Sequence, residues 1–323
     1  MFIPMFVDGT AVVWRSESEV QFGIDPRNQV RVPAKTGSYL ISVCTGTKSV
    51  SEIINQAELD EVDCNILSNA IAKLIETGQL VSAARVCETE ALAQVEFEIT
   101  GAGRLGTTVA ILLAEAGATN IRILDRKPIA TTDVTAWGPS RLDIGQRRDH
   151  TALLILERIH RGMWPRLLRP IKPELPRLSI LCPDPIGQTP WLAPNLTDSF
   201  IAADLPHIIA STGANSALVT TVLNPNSSAC LRCFHARQCE LDSAWPLIAS
   251  QLIGRATRDL ASSSLILHCA TFVAQQSIEW ATGRSASNIS NCGIFEMTAP
   301  DFRTEFMPIE THWSCGCQWN RAS

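Results

Sequence analysis

The sequence predicts a mixed α/β protein, in which a small α+β domain precedes a Rossmann-like nucleotide-binding domain with a mostly parallel sheet. The first observation is the stretch 97–117, FEITGAGRLGTTVAILLAEAG, whose pattern is a strand, a glycine turn and a helix. The second is that strand and helix patterns alternate after residue 95, which is typical of parallel sheets. The third is that the first 85 residues lack this alternation and carry short strand candidates between helical segments.

The elements of the larger domain follow from the spacing of apolar residues. Strands are predicted at 95–99, 121–124, 178–182 and 207–211, and helices at 107–116, 151–160 and 262–283. The helix that begins at 151 is expected to stop near Gly162, and short strand-like pieces follow Gly283. One detail fits imperfectly: Glu96 and Glu98 interrupt the first strand, where a doubly wound sheet usually has a continuous apolar run.

The domain boundary is predicted near residue 85, so residues 1–85 form the small domain and 86–323 the large one. Strand candidates AVVW, VQFGI, QVRV and QLV surround helices, one of which opens with the capping-box spacing of Ser49 and Glu52. This order predicts a winged helix. The usual partner of that fold is DNA, but the last helix, NILSNAIAKLIETG, has one Lys and one Glu and is a poor phosphate-binding face. An Ala-rich linker is expected at 83–94.

Composition excludes several classes of protein. Apolar residues make up 46% of the 323 residues and charged residues 18%, which argues against a disordered chain. The net charge is −5 and no basic block stands out, so nucleic-acid binding is not expected. No apolar run reaches membrane-spanning length, and the start MFIPMFVDGT does not resemble a signal peptide. We therefore expect a cytoplasmic protein with no membrane partner.

The glycine turn has the chemistry of a phosphate-binding loop. Gly101 permits the tight turn, Gly103 lets a phosphate approach the backbone, and Gly106 allows close helix packing. Asp125 ends the next predicted strand, where a carboxylate can accept hydrogen bonds from a ribose. The alternative is that these glycines match the G-x-G-x-x-G motif by chance and belong to a turn with only a structural role. These residues favour a bound nucleotide, and at this point both NAD and ATP fit.

Two close cysteine pairs predict a zinc site. CLRC and SCGC supply four thiolates, enough for a tetrahedral structural zinc: Cys230, Cys233, Cys315 and Cys317. Because a reducing compartment disfavours disulfides, metal ligation is the first interpretation. A redox CxxC or unrelated core cysteines are the alternatives, and His235 or His312 could replace a thiolate. Zinc would then tie the end of the chain to the sheet domain.

The motifs together resemble the ThiF/MoeB superfamily, the bacterial relatives of ubiquitin-activating enzymes. The resemblance covers roughly 95–317 and rests on the order of GAGRLG, IRILD, IGQRR, CPD, CLRC, the helix SLILHCATFVAQQSIEWATGR and CGC. It implies an adenylyltransferase that uses ATP and Mg²⁺ to activate a carboxylate of a peptide or small protein. Many members are homodimers, and many hold zinc with two cysteine pairs.

Site residues are carried over from this resemblance one by one. The three glycines would line the phosphate loop and Asp125 would hold the ribose. Arg148 stands where the family has a phosphate-binding lysine, and Asp184 where it has the aspartate that helps to place magnesium. A cation and a metal there would stabilise the charge that builds when a carboxylate attacks the α-phosphate. The alternatives are a solvated helix start for Arg148 and a turn residue for Asp184.

Two departures bear on catalysis. The family's loop arginine has no counterpart in TTDVTAWGPSRLD, where Arg141 is the nearest substitute, and the lysine has become Arg148. Ammonium and guanidinium groups are not interchangeable at a tight phosphate site. Cys239 could be a thiol for acyl transfer, but no neighbouring residue in the sequence marks it as activated.

The small N-terminal domain indicates the kind of partner. A winged-helix-like domain before a ThiF-like domain resembles the leader-peptide-binding proteins of modified-peptide pathways, of the bacteriocin and thiazole/oxazole type, which add an extended leader to a sheet edge. The first hypothesis is therefore an adenylyltransferase acting on a peptide or small protein. The second is a non-catalytic scaffold that presents a precursor peptide to a partner modifying enzyme. An NAD-dependent oxidoreductase is third. The zinc pairs and the order of IGQRR and CPD disfavour it, and the only tyrosine, Tyr39, lies outside the nucleotide domain, so no Tyr-Lys catalytic pair supports it.

Overall fold

The structure is a computed structural model that describes residues 2–7, 9–82, 88–161, 174–225, 227–252, 258–283 and 292–317. The chain divides into two compact units, Met1–Cys87 and Glu88–Ser323. The part of the predicted linker at 83–87, and Gly162 at the predicted helix stop, lie outside the described residues. Within the described residues, no helix combines the length and apolar character that a membrane crossing requires.

The first unit contains two small antiparallel sheets and three helices. Strands β1 and β5 pair with each other, and β2, β3 and β4 form a second sheet in that order. The elements are β1 Pro4–Phe6, β2 Val12–Trp14, β3 Glu19–Phe22, β4 Val30–Pro33, α1 Ala34–Val43, α2 Val50–Leu59, α3 Cys64–Glu76 and β5 Leu80–Ser82. The strand and helix order matches the sequence expectation, whereas the winged-helix assignment stays a prediction.

Local sequence explains where these helices begin. The capping box at α2 is confirmed: the backbone N–H of Ser49 donates to the Glu52 carboxylate at 2.7 Å, and Ser49 Oγ accepts from the N–H of Glu52. Asp63 caps α3 by accepting two backbone N–H bonds. The helices and the β2–β3–β4 sheet bury one apolar cluster, in which Phe22 and Leu67 are fully enclosed.

The second unit is built on a seven-stranded sheet in the order β12-β11-β10-β9-β8-β6-β7. The four strands predicted from the sequence run parallel: β6 Glu96–Thr100, β7 Ile121–Leu124, β8 Arg177–Leu181 and β9 His207–Thr212. Three antiparallel strands extend the sheet beyond β9: β10 Ser216–Thr220, β11 Gly293–Thr298 and β12 Arg303–Pro308. The mixed α/β prediction is confirmed, and the strand-like pieces after Gly283 prove to be part of the same sheet.

Seven described helices accompany this sheet. They are α4 Glu88–Ala93, α5 Arg104–Glu115, α6 Arg148–Ile159, α7 Asp198–Ala202, α8 Leu231–Leu241, α9 Trp245–Leu252 and α10 Ser263–Ala281. Helix α4 occupies most of the C-terminal half of the predicted linker. Helices α5 and α10 pack against each other, and their apolar faces share one core with the parallel strands. Val109, Leu113 and Val273 are completely buried in that core, as their helical spacing requires.

The two glutamates that interrupt β6 each face an arginine on a neighbouring strand. Glu96 lies opposite Arg177 of β8 with 3.8 Å between carboxylate and guanidinium, and Glu98 lies opposite Arg122 of β7 at the same distance. Cross-strand pairs of opposite charge stabilise a sheet. These pairs explain how β6 tolerates charged residues in an otherwise apolar strand.

His207, at the start of β9, is buried and packs against Phe200 at 4.9 Å between ring centroids. Its Nδ1 lies 2.8 Å from the carbonyl of Leu205, so Nδ1–H donates, while Nε2 has no partner within the described residues. Burial lowers the pKa of His207 from 6.5 to about 4, because the charged ring would be desolvated. The ring is therefore neutral in the folded protein.

We expect this histidine to weaken the fold in acid. The unfolded ring takes up a proton below its ordinary pKa of about 6.5, whereas the folded ring does so only near pH 4. Stability is thus complete above pH 6.5 and falls by about 3 kcal/mol as the pH drops to 4. Denaturant unfolding of wild type and His207→Asn across this range tests it. Asn keeps an N–H donor but does not titrate, so parallel pH profiles for the two proteins would contradict the assignment.

Candidate functional site

The glycine loop between β6 and α5 is shaped by very close backbone contacts. Gly101 has a positive φ of 93°, and a Cβ there would lie 2.0 Å from the carbonyl oxygen of Cys182. A Cβ at Gly106 would lie 1.8 Å from the carbonyl oxygen of Gly101. Both positions therefore exclude any side chain. At Gly103, by contrast, a Cβ would contact Asp184 and Arg148 at ordinary distances of 3.5 Å or more, so this position could accept a Cβ without a clash.

Helix α5 begins directly after Gly103, which offers no side chain to cap it. The first N–H groups of a helix are therefore available to an anion, and the helix dipole favours negative charge there. The side chain-free turn and the helix start both border a cleft of about 290 Å³. The described residues of the loop thus fit a phosphate group.

Asp125, after β7, fastens the glycine loop. Its Oδ2 accepts the backbone N–H of Ala102 at 2.8 Å, and its Oδ1 accepts the N–H of Lys127 at 3.0 Å. Its side chain is 6% exposed and lies 3.3 Å from Arg148 Nη1. The ribose role expected for Asp125 stays a prediction, since both of its oxygens are used within the protein here.

Arg148, the first residue of α6, lies at the centre of three carboxylates. Its Nε and Nη2 donate to the two oxygens of Asp133 at 2.8 and 3.0 Å, and its Nη1 donates to Asp184 at 2.7 Å and to Asp125 at 3.3 Å. Burial alone would lower the pKa of Arg148, but the hydrogen bonds and charges of Asp133 and Asp184 raise it above its ordinary value. The guanidinium is therefore permanently charged and fully engaged.

Asp133 is a member of this network that the sequence interpretation missed. It lies in a 3₁₀ turn at Thr131–Asp133, and its side chain is 3% exposed. A signal was present: a carboxylate three residues after Ala130 caps the turn by accepting the N–H of Ala130 at 2.8 Å. Sequence spacing alone does not show that this turn faces Arg148.

Lys127 was missed as well, and it holds the other side of Asp184. Its Nζ lies 2.7 Å from Asp184 Oδ2, while Arg148 binds Oδ1. Burial alone would raise the pKa of Asp184, but the hydrogen bond from Lys127 and the charge of Arg148 outweigh it and hold the pKa below its usual value. Asp184 is therefore ionised and has a cation at each oxygen.

The two cations at Asp184 differ greatly in how firmly they are held. Arg148 is buried with a 9% exposed side chain, and removing one partner of a buried ion pair costs about 3–5 kcal/mol. The side chain of Lys127 is 62% exposed, and such surface pairs contribute about 0–1 kcal/mol. An incoming ligand would therefore displace Lys127 from Asp184 far more readily than Arg148.

A second ion pair, Arg104 with Asp259, also lines the cleft. Arg104, at the start of α5, contacts Asp259 at 2.8 Å and donates to the carbonyl of Ala261 at 2.6 Å. The described residues that line the cleft include Gly103, Arg104, Gly106, Asp133, Arg148, Cys182, Asp184 and Asp259. Burial raises the pKa of Cys182 to about 12, so it remains a neutral thiol.

Arg141, the predicted substitute for the family's loop arginine, is not brought to the cleft. It lies exposed in a 3₁₀ turn at Arg141–Asp143, and it is absent from the described residues that line the cleft. The preceding loop is fixed to α5 instead, because Trp137 Nε1 donates to Thr108 Oγ1 at 3.0 Å. A catalytic role for Arg141 stays a prediction without geometric support.

The donor set also fits magnesium in one respect. Mg²⁺ in nucleotide sites commonly takes one or two carboxylates and completes its shell with phosphate oxygens and water. Asp184 borders the cleft beside the glycine loop and offers an ionised carboxylate. A metal ion at Asp184 would repel Lys127 first, because Lys127 is the more exposed of the two cations at this carboxylate.

The four cysteines of the two pairs converge at one point. Their sulfur atoms all lie within 4.8 Å of one another, with 3.4 Å between Cys230 and Cys315 and between Cys233 and Cys317. Cys230 and Cys233 are 3.9 Å apart. Tetrahedral zinc with Zn–S bonds of about 2.3 Å places sulfurs ~3.8 Å apart, so the cluster could hold zinc. All four are free thiols in the structure.

The two histidines that could replace a thiolate as zinc ligands form hydrogen bonds with other residues. His235 places Nε2 2.7 Å from the carbonyl of Leu192, and its Nδ1 accepts from Trp245 Nε1 at 3.0 Å. His312 contacts Glu240 with Nε2 and Ser314 with Nδ1. Neither ring leaves a nitrogen for a metal, so four thiolates are the favoured ligand set. Cys239 lies exposed on α8, and its role as an acyl-transfer thiol stays a prediction.

We expect one zinc ion per chain, held by these thiolates. Elemental analysis of purified protein measures it, and Cys233→Ser should lose the zinc and lower the melting temperature more than it changes nucleotide affinity, because the site is structural. Cys239→Ser is the matched control, since it removes an exposed thiol from the same helix. Protein without zinc whose four thiols all react freely would refute the site.

Comparison with known proteins defines the fold. No protein-family model matches the chain, and no curated protein does. Solved structures do match: E. coli MccB with MccA (TM-score 0.66, 16% identity, 98% of this chain and 99% of that one) and E. coli MccB with ATP (0.65, 16%, 98% and 99%). The heterocyclase TruD matches at 0.56 and 13% identity over 98% of this chain and 42% of that chain. At these identities the likeness shows a shared fold, which is the mixed α/β architecture with a seven-stranded, mostly parallel sheet.

Proposed function

We propose that this protein is an ATP-dependent adenylyltransferase that activates a carboxylate of a peptide or small protein. The observation that carries the proposal is that the glycine loop, Arg148 and Asp184 border one cleft although they are distant in sequence. The fold supports it, because MccB, a microcin C7 biosynthetic enzyme, has been solved with ATP and with MccA. A peptide-modifying role is plausible on the fold alone.

Each part of the cleft has a task in this proposal. ATP would supply the adenylyl group. The backbone of Gly103 and the first turn of α5 would bind phosphate oxygens, and Asp184 would hold Mg²⁺ beside them. Arg148 would keep Asp184 ionised and correctly placed, since it binds one oxygen at 2.7 Å. Mg²⁺ held at this position would stabilise the negative charge that grows on the α-phosphate in the transition state.

The first unit would recognise the substrate. Strand β2 is a sheet edge that pairs with β3 alone among the described strands, and Val12, Val13 and Trp14 are all exposed on it. An extended precursor peptide could add to such an edge by main-chain hydrogen bonds. The MccA precursor peptide bound to MccB supports a peptide partner. The homodimer that the family resemblance implies, and the cytoplasmic location expected from the sequence, are part of the same proposal.

A scaffold that presents a precursor peptide to a modifying enzyme is the second candidate. Two observations favour it: Arg148 is already neutralised by three carboxylates, and Arg141 lies outside the cleft-lining residues. Such a protein would bind a peptide without turning over ATP. An NAD-dependent oxidoreductase is disfavoured, because the only tyrosine in the sequence, Tyr39, belongs to the first unit and not to the unit that contains the cleft.

We expect the protein to bind ATP in preference to NAD and to catalyse pyrophosphate–ATP exchange when a substrate peptide is present. Titration calorimetry compares the two nucleotides. Gly103→Val should block ATP binding, because its side chain would enter the cleft, whereas Asp184→Asn should abolish exchange and largely keep ATP binding, since its charge matters most in the transition state.

The results separate the candidates. Tight NAD binding without ATP binding would contradict the proposal, and exchange that survives Asp184→Asn would show that the metal ligand is misplaced. Firm binding of a leader peptide to residues 1–85 in the full chain, with no exchange for any tested peptide, would support the scaffold. Arg126→Gln is a suitable control, because Arg126 is exposed beside the site. The substitution removes one positive charge, and the structure describes no side-chain contact of Arg126 that it would break.

A further inference from the structure

Arg104, Arg148 and Arg258 line the cleft. Lys127 is not among the lining residues but, like Arg148, it contacts Asp184, and the structure distinguishes these two cations. Arg148 has all three guanidinium nitrogens engaged by Asp125, Asp133 and Asp184. Turning this side chain towards a ligand would leave buried carboxylates without their counter-charge. The arginine at the family's lysine position is therefore fixed in place and poorly able to follow a nucleotide.

Lys127, unlike Arg148, combines a fixed backbone with an exposed side chain. Its backbone is held at the rim of the site, because its N–H donates to Asp125 at 3.0 Å and its carbonyl accepts from the N–H of Arg148 at 2.9 Å. Its side chain is 62% exposed and makes one described contact, at 2.7 Å to Asp184 Oδ2. The main chain thus fixes the position of the residue while the ammonium is free to change partners.

The charges around Asp184 indicate which of its two cations leaves when Mg²⁺ binds. Asp184 gives one oxygen to each of two protein cations, and Mg²⁺ bound at Oδ2 would bring a second positive charge next to the exposed Lys127 ammonium, so charge repulsion would release Lys127. The released ammonium would lie beside a newly arrived polyphosphate, to which a flexible point charge adapts readily. The ammonium that the IGQRR motif lacks is thereby supplied from a different part of the chain.

We propose that Lys127, and not Arg148, is the side chain that binds the nucleotide's phosphates, with Asp184 as its resting partner in the free protein. This inference rests on the proposed ATP site and adds a residue to it. In this proposal Arg148 holds the three carboxylates in their present positions.

Titration calorimetry on the full chain tests the proposal with ATP and with adenosine, which has no phosphates. Lys127→Gln should weaken ATP binding about tenfold or more, the effect of losing a charged hydrogen bond, and leave adenosine binding unchanged. Lys127→Arg should restore most of the ATP affinity, because it keeps the charge at the same place. Arg126→Gln removes one charge from the neighbouring exposed position and should change both affinities little.

Three outcomes would overturn the inference in distinguishable ways. Unchanged ATP affinity in Lys127→Gln, with wild type binding ATP, would reject the role of Lys127 and leave the proposed function standing. Equal losses for ATP and adenosine would show that the lysine acts on the structure of the cleft instead of on phosphates. A wild-type protein that binds neither ligand would reject the ATP site together with the inference.

Discussion

The buried contact between Arg148 and three aspartates is the interaction on which the rest of the candidate site depends. Asp125 follows β7, Asp133 lies in the turn after it, and Asp184 follows β8, so one guanidinium joins loops at the carboxyl ends of the two parallel strands that flank β6. Asp125 in turn holds the glycine loop through Ala102. Ligands of open α/β sheets bind at this edge. A single cation therefore determines both the position of the acids and the shape of the loop.

The cysteine cluster imposes a second constraint at a different place in the sheet unit. It joins Cys230, at the start of α8, to Cys315, which is 85 residues later and follows β12. A metal across this separation would fix the antiparallel extension of the sheet relative to α8, since a cross-link over a long loop removes much chain entropy. The cluster shares no described residue with the lining of the nucleotide cleft, which suits a structural role.

Sequence reasoning succeeded where chemistry is local and failed where it depends on distant loops. The glycine turn, the four parallel strands and the convergence of the cysteine pairs all follow from spacing that a single segment or motif displays. Asp133 and Lys127 carry no such mark, because their importance comes from loops that meet only in the folded sheet. Arg141 was chosen for its residue type, but the turn that holds it leaves it in solvent. The pairing of the antiparallel strands was equally difficult to predict, since short amphipathic segments do not specify their pairing partners.

The central claim is that the loop and the carboxylates held by Arg148 form a phosphate-binding cleft. Amide hydrogen exchange of the full chain, measured with ATP and Mg²⁺ and again without them, tests it most directly. The account predicts that bound nucleotide slows exchange in 101–106 and in 182–185, with little change in the cysteine cluster. Nucleotide binding that leaves 101–106 unprotected and slows exchange elsewhere would contradict it.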